Sequence, residues 1–339
     1  MSELKKKACQ YHSNYPAGKI YSCVKKDIRS NLHLAYTPGV AFVSKEIAKN
    51  SSNLNLYTNR GSTVVVITNG TAVLGLGNVG VKAAKPVMEG KCALMREFAY
   101  LNCFDLAIDE TDVNTFVDFV AKCESSFGAI NLEDIKAPEC FEIEHKLQKR
   151  INIPVFHDDQ HGTAIVVLSA LINACKLRNK IQSSELNDNE VSQSKNENYH
   201  DINLAFSKLK VVAIGAGAAG IATLNLLVKY GVKKENILLF DSKGCVCQER
   251  SDLGKYKRTF ATTNNVTLKK AFYEADVFLG MSTGNTVDAS FVQFMNSNPI
   301  IFALSNPDPD LNIELALKLR KNCIIATGGI HSKNQVNNV

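Results

Sequence analysis

A chain of 339 residues with 45% hydrophobic and 21% charged residues has the composition of an ordinary soluble globule and the length of two domains. Its net charge of +6 comes from basic residues dispersed among acidic ones; the basic runs, Lys5-Lys6-Lys7 and Lys269-Lys270, are short and read as solvated surface, which argues against nucleic acid or a membrane as partner. Ten cysteines at irregular spacing, behind a polar and lysine-rich N-terminus, argue against a secreted disulfide scaffold and for a reducing, cytoplasmic compartment.

Along the chain, short β-branched runs alternate with longer helical patterns. Thr63–Ile67, Phe104–Ile108, Val211–Ile214, Ile237–Phe240, Val277–Leu279, Ile300–Leu304 and Cys323–Ala326 read as buried strands. The alternation predicts an α/β fold with largely parallel sheets. After the first strand, Gly75-Leu-Gly-Asn-Val-Gly80 fits the pattern G-x-G-x-x-G, but Pro86 and Gly90 follow so soon that any helix there should break. A structural or substrate-facing loop is expected instead, although Asp105 could serve as an acidic partner to the motif. A helical run opens at Gly162-Thr163; its apolar stretch to Cys175 is interrupted by Ser169 and Asn173 and is too short to span a bilayer. From Gln182 to Asp201 the chain is rich in Ser, Asn and Glu, and is expected to be an exposed, mobile insertion.

The second glycine motif has the context that the first lacks. Lys210–Ile214 leads as a strand into Gly215-Ala216-Gly217-Ala218-Ala219-Gly220, and Ile221–Tyr230 follows as an amphipathic helix ended by Gly231. The first glycine permits the tight turn, the second lets the backbone approach a pyrophosphate, and the third allows close helix packing. The next strand closes on Asp241, about where a carboxylate would bond the adenosine ribose hydroxyls.

Two stretches carry adjacent carboxylates at the ends of apolar runs. Glu133 and Asp134 follow Ala129–Leu132, and Asp158 and Asp159 follow Ile153–Phe156. Carboxylates in such places are costly unless their charge is compensated. Glu133, Asp134 and one of Asp158 or Asp159 would form an all-oxygen site for Mg2+ or Mn2+. Tyr36, before the Pro38-Gly39 turn, and Lys91 could supply acid–base groups. Asn306 ends the strand at Ile300–Leu304, where polar residues face the ligand crevice of open α/β sheets.

Taken together, these segments resemble malic enzymes of the short microbial type. The matching stretches are Ala35–Ala41, Thr71–Asn78, Lys85–Lys91, Ile130–Phe141, Pro154–Ala164, Gly215–Gly220, Ala303–Pro309 and Asn334–Val339, running from about residue 10 to the last apart from the insertion. The resemblance implies an N-terminal malic-type α/β domain over 1–156 and a Rossmann-type, doubly wound domain over 157–339. It implies oxidative decarboxylation of malate to pyruvate and CO2 with NAD or NADP, by a homodimer. Carried onto matching positions, Glu133, Asp134 and Asp159 become the metal ligands and Asp158 an outer residue near Lys91. Lys91 becomes the base for the C2 hydroxyl and Tyr36 the acid that protonates C3. Thr163, Gly215–Gly220, Asp241 and Asn306 are assigned to the cofactor, and Lys91, Asn306 and Asn338 to the substrate. Cofactor choice stays open, since Asp241 favours NAD while Ser242 and Lys243 could accept a 2′-phosphate. Family members continue past Asn338 with an apolar segment and further helices, so a shortened chain that only binds nucleotide or pairs with another subunit is one alternative. A metal-free amino-acid or folate dehydrogenase of the same domain order is the other.

Overall fold

The β-branched runs pair into two separate sheets. The structure is a computed structural model that describes residues 3–13, 19–20, 22–24, 26–73, 76–185, 205–329 and 332–338, the side chains of 182–185 excepted. The chain divides into two compact units, Met1–Ile135 with Glu139–His157, and Lys136–Pro138 with Asp158–Val339.

In the first unit four helices precede the sheet: α1 (Glu3–Ser13), α2 (Leu32–Ala35), α3 (Gly39–Lys49) and α4 (Leu54–Tyr57). None of them buries a residue. The sheet has the order β2-β1-β3-β4 and is parallel throughout, with β1 spanning Thr63–Thr68, β2 Asn102–Ala107, β3 Ala129–Leu132 and β4 Val155–His157. Val65, Val66 and Ile67 of central β1 are all buried, as a strand covered on both faces requires.

Between β1 and β2 runs α5 (Gly80–Ala99), a 20-residue helix that contains both Pro86 and Gly90. This corrects the expectation of a broken helix after Gly80. Ala84, Met88 and Cys92 recur every four residues on its buried face, and Met88 and Cys92 pack with Val66 and Cys103 of the sheet. That burial outweighs the missing amide of Pro86, whose interior helical cost is about 3 kcal/mol. Asp105, the other element of the first glycine motif, receives Lys85 Nζ on both carboxylate oxygens at 2.7 Å. The helices α6 (Val113–Lys122) and α7 (Glu139–Arg150) follow β2 and β3 and pack on each other.

The second unit opens with α8 (Asp158–Glu185), which starts four residues before the expected Gly162. Its first turn therefore consists of Asp158 and Asp159, where the helix dipole favours negative charge. The polar insertion expected over 182–201 lies outside the described residues from 186 onward. The second sheet has the order β10-β9-β8-β5-β6-β7, built from β5 (Val211–Ile214), β6 (Ile237–Asp241), β7 (Gly244–Cys245), β8 (Val277–Gly280), β9 (Ile300–Ala303) and β10 (Ile324–Thr327). All neighbours are parallel except β6 and β7. The chain runs outward from β5 to β6 on one side and to β8 on the other, so the sheet is doubly wound, with its switch point between β5 and β8. Every strand expected from the sequence is present, within two residues at each end.

Phe272 and Phe278, both fully buried with ring centroids 5.2 Å apart, centre the core on one face of this sheet. Arg178 of α8 reaches Asp276 at 3.2 Å, and Asp276 also accepts the Lys210 amide at 2.9 Å and the Asn296 side chain at 3.0 Å. The segment 332–338 is tied to β10 through Val336 N–H to Thr327 O at 2.9 Å and Thr327 N–H to Asn334 O at 3.0 Å. Among the described residues the cysteines form no disulfide. Among the described residues no helix is long and apolar enough to cross a membrane. Phe278→Ala should destabilise the second unit by about 3–5 kcal/mol, the usual cost of emptying a buried aromatic position. Urea unfolding followed by far-UV circular dichroism measures it, and a loss below about 1 kcal/mol would remove Phe278 from the core.

Candidate active site

β3 and β4 run in parallel with Leu132 opposite His157, the last residue of each strand. Glu133 and Asp134 directly follow β3, and Asp158 and Asp159 directly follow β4 as the start of α8. Two facts hold the first pair in place. The Glu133 amide continues the ladder to Ile67 O at 2.9 Å, and the Asp134 carbonyl accepts the Ala72 amide at 3.0 Å. Asp134 takes a left-handed backbone, φ 54°, which Asp tolerates better than most residues.

One carboxylate oxygen from each of Glu133, Asp134 and Asp159 lies within 4.8 Å of the other two. Oxygen ligands bind hard divalent cations at about 2.0–2.6 Å, so oxygens up to about 5 Å apart can share one ion. The donor set therefore fits Mg2+ or Mn2+ and offers no thiolate or imidazole for softer metals. A metal-free arrangement would not need this convergence. Glu133 and Asp134 are buried, and Asn131 Nδ2 donates to Glu133 Oε2 at 2.8 Å.

Lys91 stands on α5, one turn after buried Met88, and its Nζ is 3.2 Å from Glu133 Oε1 with the side chain only 11% exposed. Three carboxylates and one ammonium leave two negative charges among these four groups. Asp158 is oriented separately. Its Oδ2 accepts Asn338 Nδ2 at 2.6 Å, and its Oδ1 fills the space that a Cβ on Gly162 would need. Asn337 Nδ2 donates to Gly328 O at 3.1 Å, which fixes the segment that carries Asn338. Thr163 lies half-buried in the second turn of α8. Tyr36 sits just after α2, and its side chain is 72% exposed.

In the second unit the glycine motif has the geometry of a phosphate cradle. Gly215 has φ +106°, and a Cβ there would strike the Met281 carbonyl; a Cβ on Gly220 would strike the Gly215 carbonyl. Gly217 caps the helix Ala218–Lys229 and faces open space, leaving room for a ligand at the helix N-terminus. Ala216 is buried, while Ala218 and Ala219 begin that helix half-buried. Asp241 ends β6. Asn306 follows β9, exposed, with its amide against Gly328.

Residues 16–148 match the family model described as malic enzyme, N-terminal domain, and residues 160–339 match malic enzyme, NAD binding domain. The chain belongs to the malic enzyme family. It is 42% identical to the NADP-dependent malic enzyme of Halomonas elongata over 100% of this chain and 76% of that protein. It is 44% identical to the NADP-dependent malic enzyme of Escherichia coli over 99% of this chain, but spans only 42% of that longer relative. The crystal structure of the NAD-dependent malic enzyme from Thermotoga maritima superposes with a TM-score of 0.82 at 37% identity, covering 100% of this chain and 83% of that one.

One residue of this malic enzyme chain has no signature in the sequence. Asp310 is fully buried, and its Oδ1 accepts Ser305 Oγ at 2.7 Å, Ser282 Oγ at 3.1 Å and the Ser282 amide at 3.2 Å, while Oδ2 accepts the Ser305 amide at 3.0 Å. It ties the ends of β8 and β9 together beside the glycine motif, and Gly280 lacks the Cβ that would collide with it. The signal available in sequence was an acidic residue shortly after Ser305-Asn306-Pro307, too common in loops to single out. For the carboxylate cluster the expected outcome is concrete. Asp159→Asn should weaken Mn2+ binding by more than about tenfold, the lower figure seen for losing even an outer partner of a metal ligand. Electron paramagnetic resonance of free Mn2+ reads this, and unchanged affinity would exclude Asp159 as a ligand.

Proposed function

We propose that this chain catalyses the divalent-metal-dependent oxidative decarboxylation of malate to pyruvate and CO2, reducing a nicotinamide dinucleotide. The observation that carries the reading is the convergence of Glu133, Asp134 and Asp159 within 4.8 Å, with Lys91 at 3.2 Å from Glu133. Bound by those three carboxylates, Mg2+ or Mn2+ would supply Lewis-acid polarisation of the 2-hydroxy acid. The dinucleotide, seated on Gly215–Gly220, would supply the hydride acceptor.

The chain's own residues handle the protons. In its neutral amine form, with the ammonium proton already lost, Lys91 takes the proton of the C2 hydroxyl, which lets the C2 hydride leave. Its place beside Glu133 puts an amine within reach of a substrate held by the carboxylate cluster. Asp158, fixed by Asn338 and by the gap at Gly162, acts as a positioning residue at the start of α8. Asn338 and Asn306 offer amides to the substrate and the nicotinamide, and Thr163 contacts the cofactor. After CO2 leaves, Tyr36 delivers a proton to C3. One proton leaves the hydroxyl and one arrives at carbon, so the balance is malate plus oxidised cofactor to pyruvate, CO2 and reduced cofactor.

A homodimer is part of the proposal. Leu32, Leu34, Phe42 and Leu56 of the N-terminal helices are all more than half exposed, an apolar surface that a second copy would cover. Light scattering should then give twice the 37.1 kDa chain mass. A monomer at micromolar concentration would refute this part alone. The cytoplasm is the proposed location.

The decisive assay follows cofactor reduction at 340 nm with malate and Mn2+, in parallel with NAD and NADP. The expected result is turnover that chelation abolishes and Mn2+ restores. Lys91→Ala should lower kcat by at least about a hundredfold, the lower bound for losing a general base, with Mn2+ binding retained. A folded chain inactive with both cofactors would sink the proposal, and normal turnover in the Lys91 variant would remove Lys91 from it.

A further inference from the structure

Four strands of the second sheet, β5, β8, β9 and β10, end on the same side because all are parallel. Ligands of doubly wound folds bind outside such carboxyl ends, at the switch point. Asp310 stands among the loops that leave these ends and is fully buried. Among the described residues every donor to its carboxylate is neutral: the hydroxyls and the backbone amides of Ser282 and Ser305. A buried carboxylate with no cation beside it is costly, so the fold gains from it something other than charge pairing. Hydrogen bonds to a carboxylate are about twice as strong as neutral ones, and here they hold two loops against each other.

We propose that Asp310 is a positioning residue for hydride transfer. It fixes Asn306 relative to the glycine turn Gly215–Gly220, and so sets where the nicotinamide ring is held when the dinucleotide is bound. The inference rests on the reading of the chain as a nicotinamide-dependent malate oxidoreductase in which Asn306 meets the nicotinamide, and deepens it by naming what holds Asn306.

The link runs residue by residue from the glycine turn to Asn306. On the β8 side, the Met281 amide donates to Ile214 O at 2.8 Å, and the Met281 carbonyl occupies the space that a Cβ on Gly215 would need. Ser282, the next residue, is therefore seated against the glycine turn, and Asp310 Oδ1 accepts both its hydroxyl at 3.1 Å and its amide at 3.2 Å. On the β9 side Asp310 takes Ser305 through both carboxylate oxygens, the hydroxyl at 2.7 Å on Oδ1 and the amide at 3.0 Å on Oδ2. Asn306 follows Ser305 directly, and its side-chain amide lies against Gly328, just after β10, where a Cβ would collide with it. The segment that carries Asp310 is fastened in turn. Pro309 O accepts the Asn285 amide at 2.8 Å, and Asp310 O accepts the Val287 amide at 3.0 Å. Gly280 and Gly284 make room for it, since a Cβ on either would strike Asp310 or Asp308. An adenosine phosphate needs only the glycine turn, whereas the nicotinamide end needs the turn and Asn306 in fixed relation. Loss of Asp310 should therefore spare the first and misplace the second.

Two variants of the full chain test this. Asp310→Asn keeps the shape of the side chain and removes its charge. Ser282→Ala with Ser305→Ala removes both hydroxyl donors and keeps the carboxylate on its backbone amides. Calorimetry with 5′-AMP counts intact glycine turns, and malate turnover with Mn2+ is then expressed per AMP site. Asp310→Asn should leave AMP affinity and stoichiometry unchanged and lower kcat per site by about a hundredfold, the cost of about 1 Å of misplacement between reacting groups. The double serine variant should lose less, in the same direction, and it decides the matter if Asp310→Asn does not fold. Binding without turnover is read from the emission of NADH and NADPH, which a chain without tryptophan leaves clear. The enhancement seen with the unaltered chain should be lost in Asp310→Asn, because the ring is no longer held. Normal turnover per AMP site overturns the role of Asp310 and leaves the proposed reaction standing. A fall in AMP sites that accounts for the whole loss of rate does the same. An unaltered chain that binds AMP but gives neither turnover nor a change in ring emission overturns the nicotinamide reading beneath it.

Discussion

The parallel register of β3 with β4 is the constraint on which the candidate site depends. Because Leu132 pairs with His157, each acidic pair begins one residue past the end of one of two paired strands. Burying several carboxylates together is unfavourable by itself, and their mutual repulsion adds to the desolvation cost. The arrangement is tolerated because backbone bonds fix it: the Glu133 amide to Ile67 and the Asp134 carbonyl to Ala72. The sheet thus holds in place a cluster that its own charges would disperse, which is the condition for a preformed cation site.

Lys91 shows how a neighbouring element is set against that cluster. The four-residue spacing of Ala84, Met88 and Cys92 anchors α5 on the sheet, and Lys91 points from the same side of the helix. Its ion pair with Glu133 supplies one positive charge where the carboxylates concentrate negative charge. A lysine held there, with 11% exposure, has lost most of its freedom as well as most of its water. Less ordering is then left to occur when a substrate arrives, which is the physical content of preorganisation.

What was legible in the sequence, and what was not, follows from the range of the interactions. Strands such as Thr63–Thr68 and Val211–Ile214 declare themselves through local β-branched runs, and the roles of Gly215, Gly217 and Gly220 follow from one tight turn. The helix α5 is not legible locally because Pro86 and Gly90 are strong local breakers, whereas the burial that overrides them comes from Val66 and Cys103 on β1 and β2. The helix α8 starts four residues ahead of the Gly162 expected from sequence because carboxylates suit a helix's first turn as well as a strand end. Asp310 was invisible for a third reason. Its partners Ser282 and Ser305 are brought to it by the order of β8 and β9, not by any local pattern.

The same logic applies to Asp241, and there it changes the conclusion. In sequence, an acidic residue at the end of the second strand stands for a ribose diol, because the motif is defined by one residue and its distance from the glycines. The structure adds what spacing cannot: Arg250 and Lys257, nine and sixteen residues further on, fold back over that carboxylate. A residue type is then no guide to what it recognises until its hydrogen-bonding capacity has been counted. At Glu133 and Asp159 the carboxylates converge with oxygens close enough to share a cation. At Asp241 the Arg250 guanidinium, the Lys257 ammonium and the Lys243 backbone amide already donate to both carboxylate oxygens, so the negative charge that the motif advertises is met by the protein's own donors.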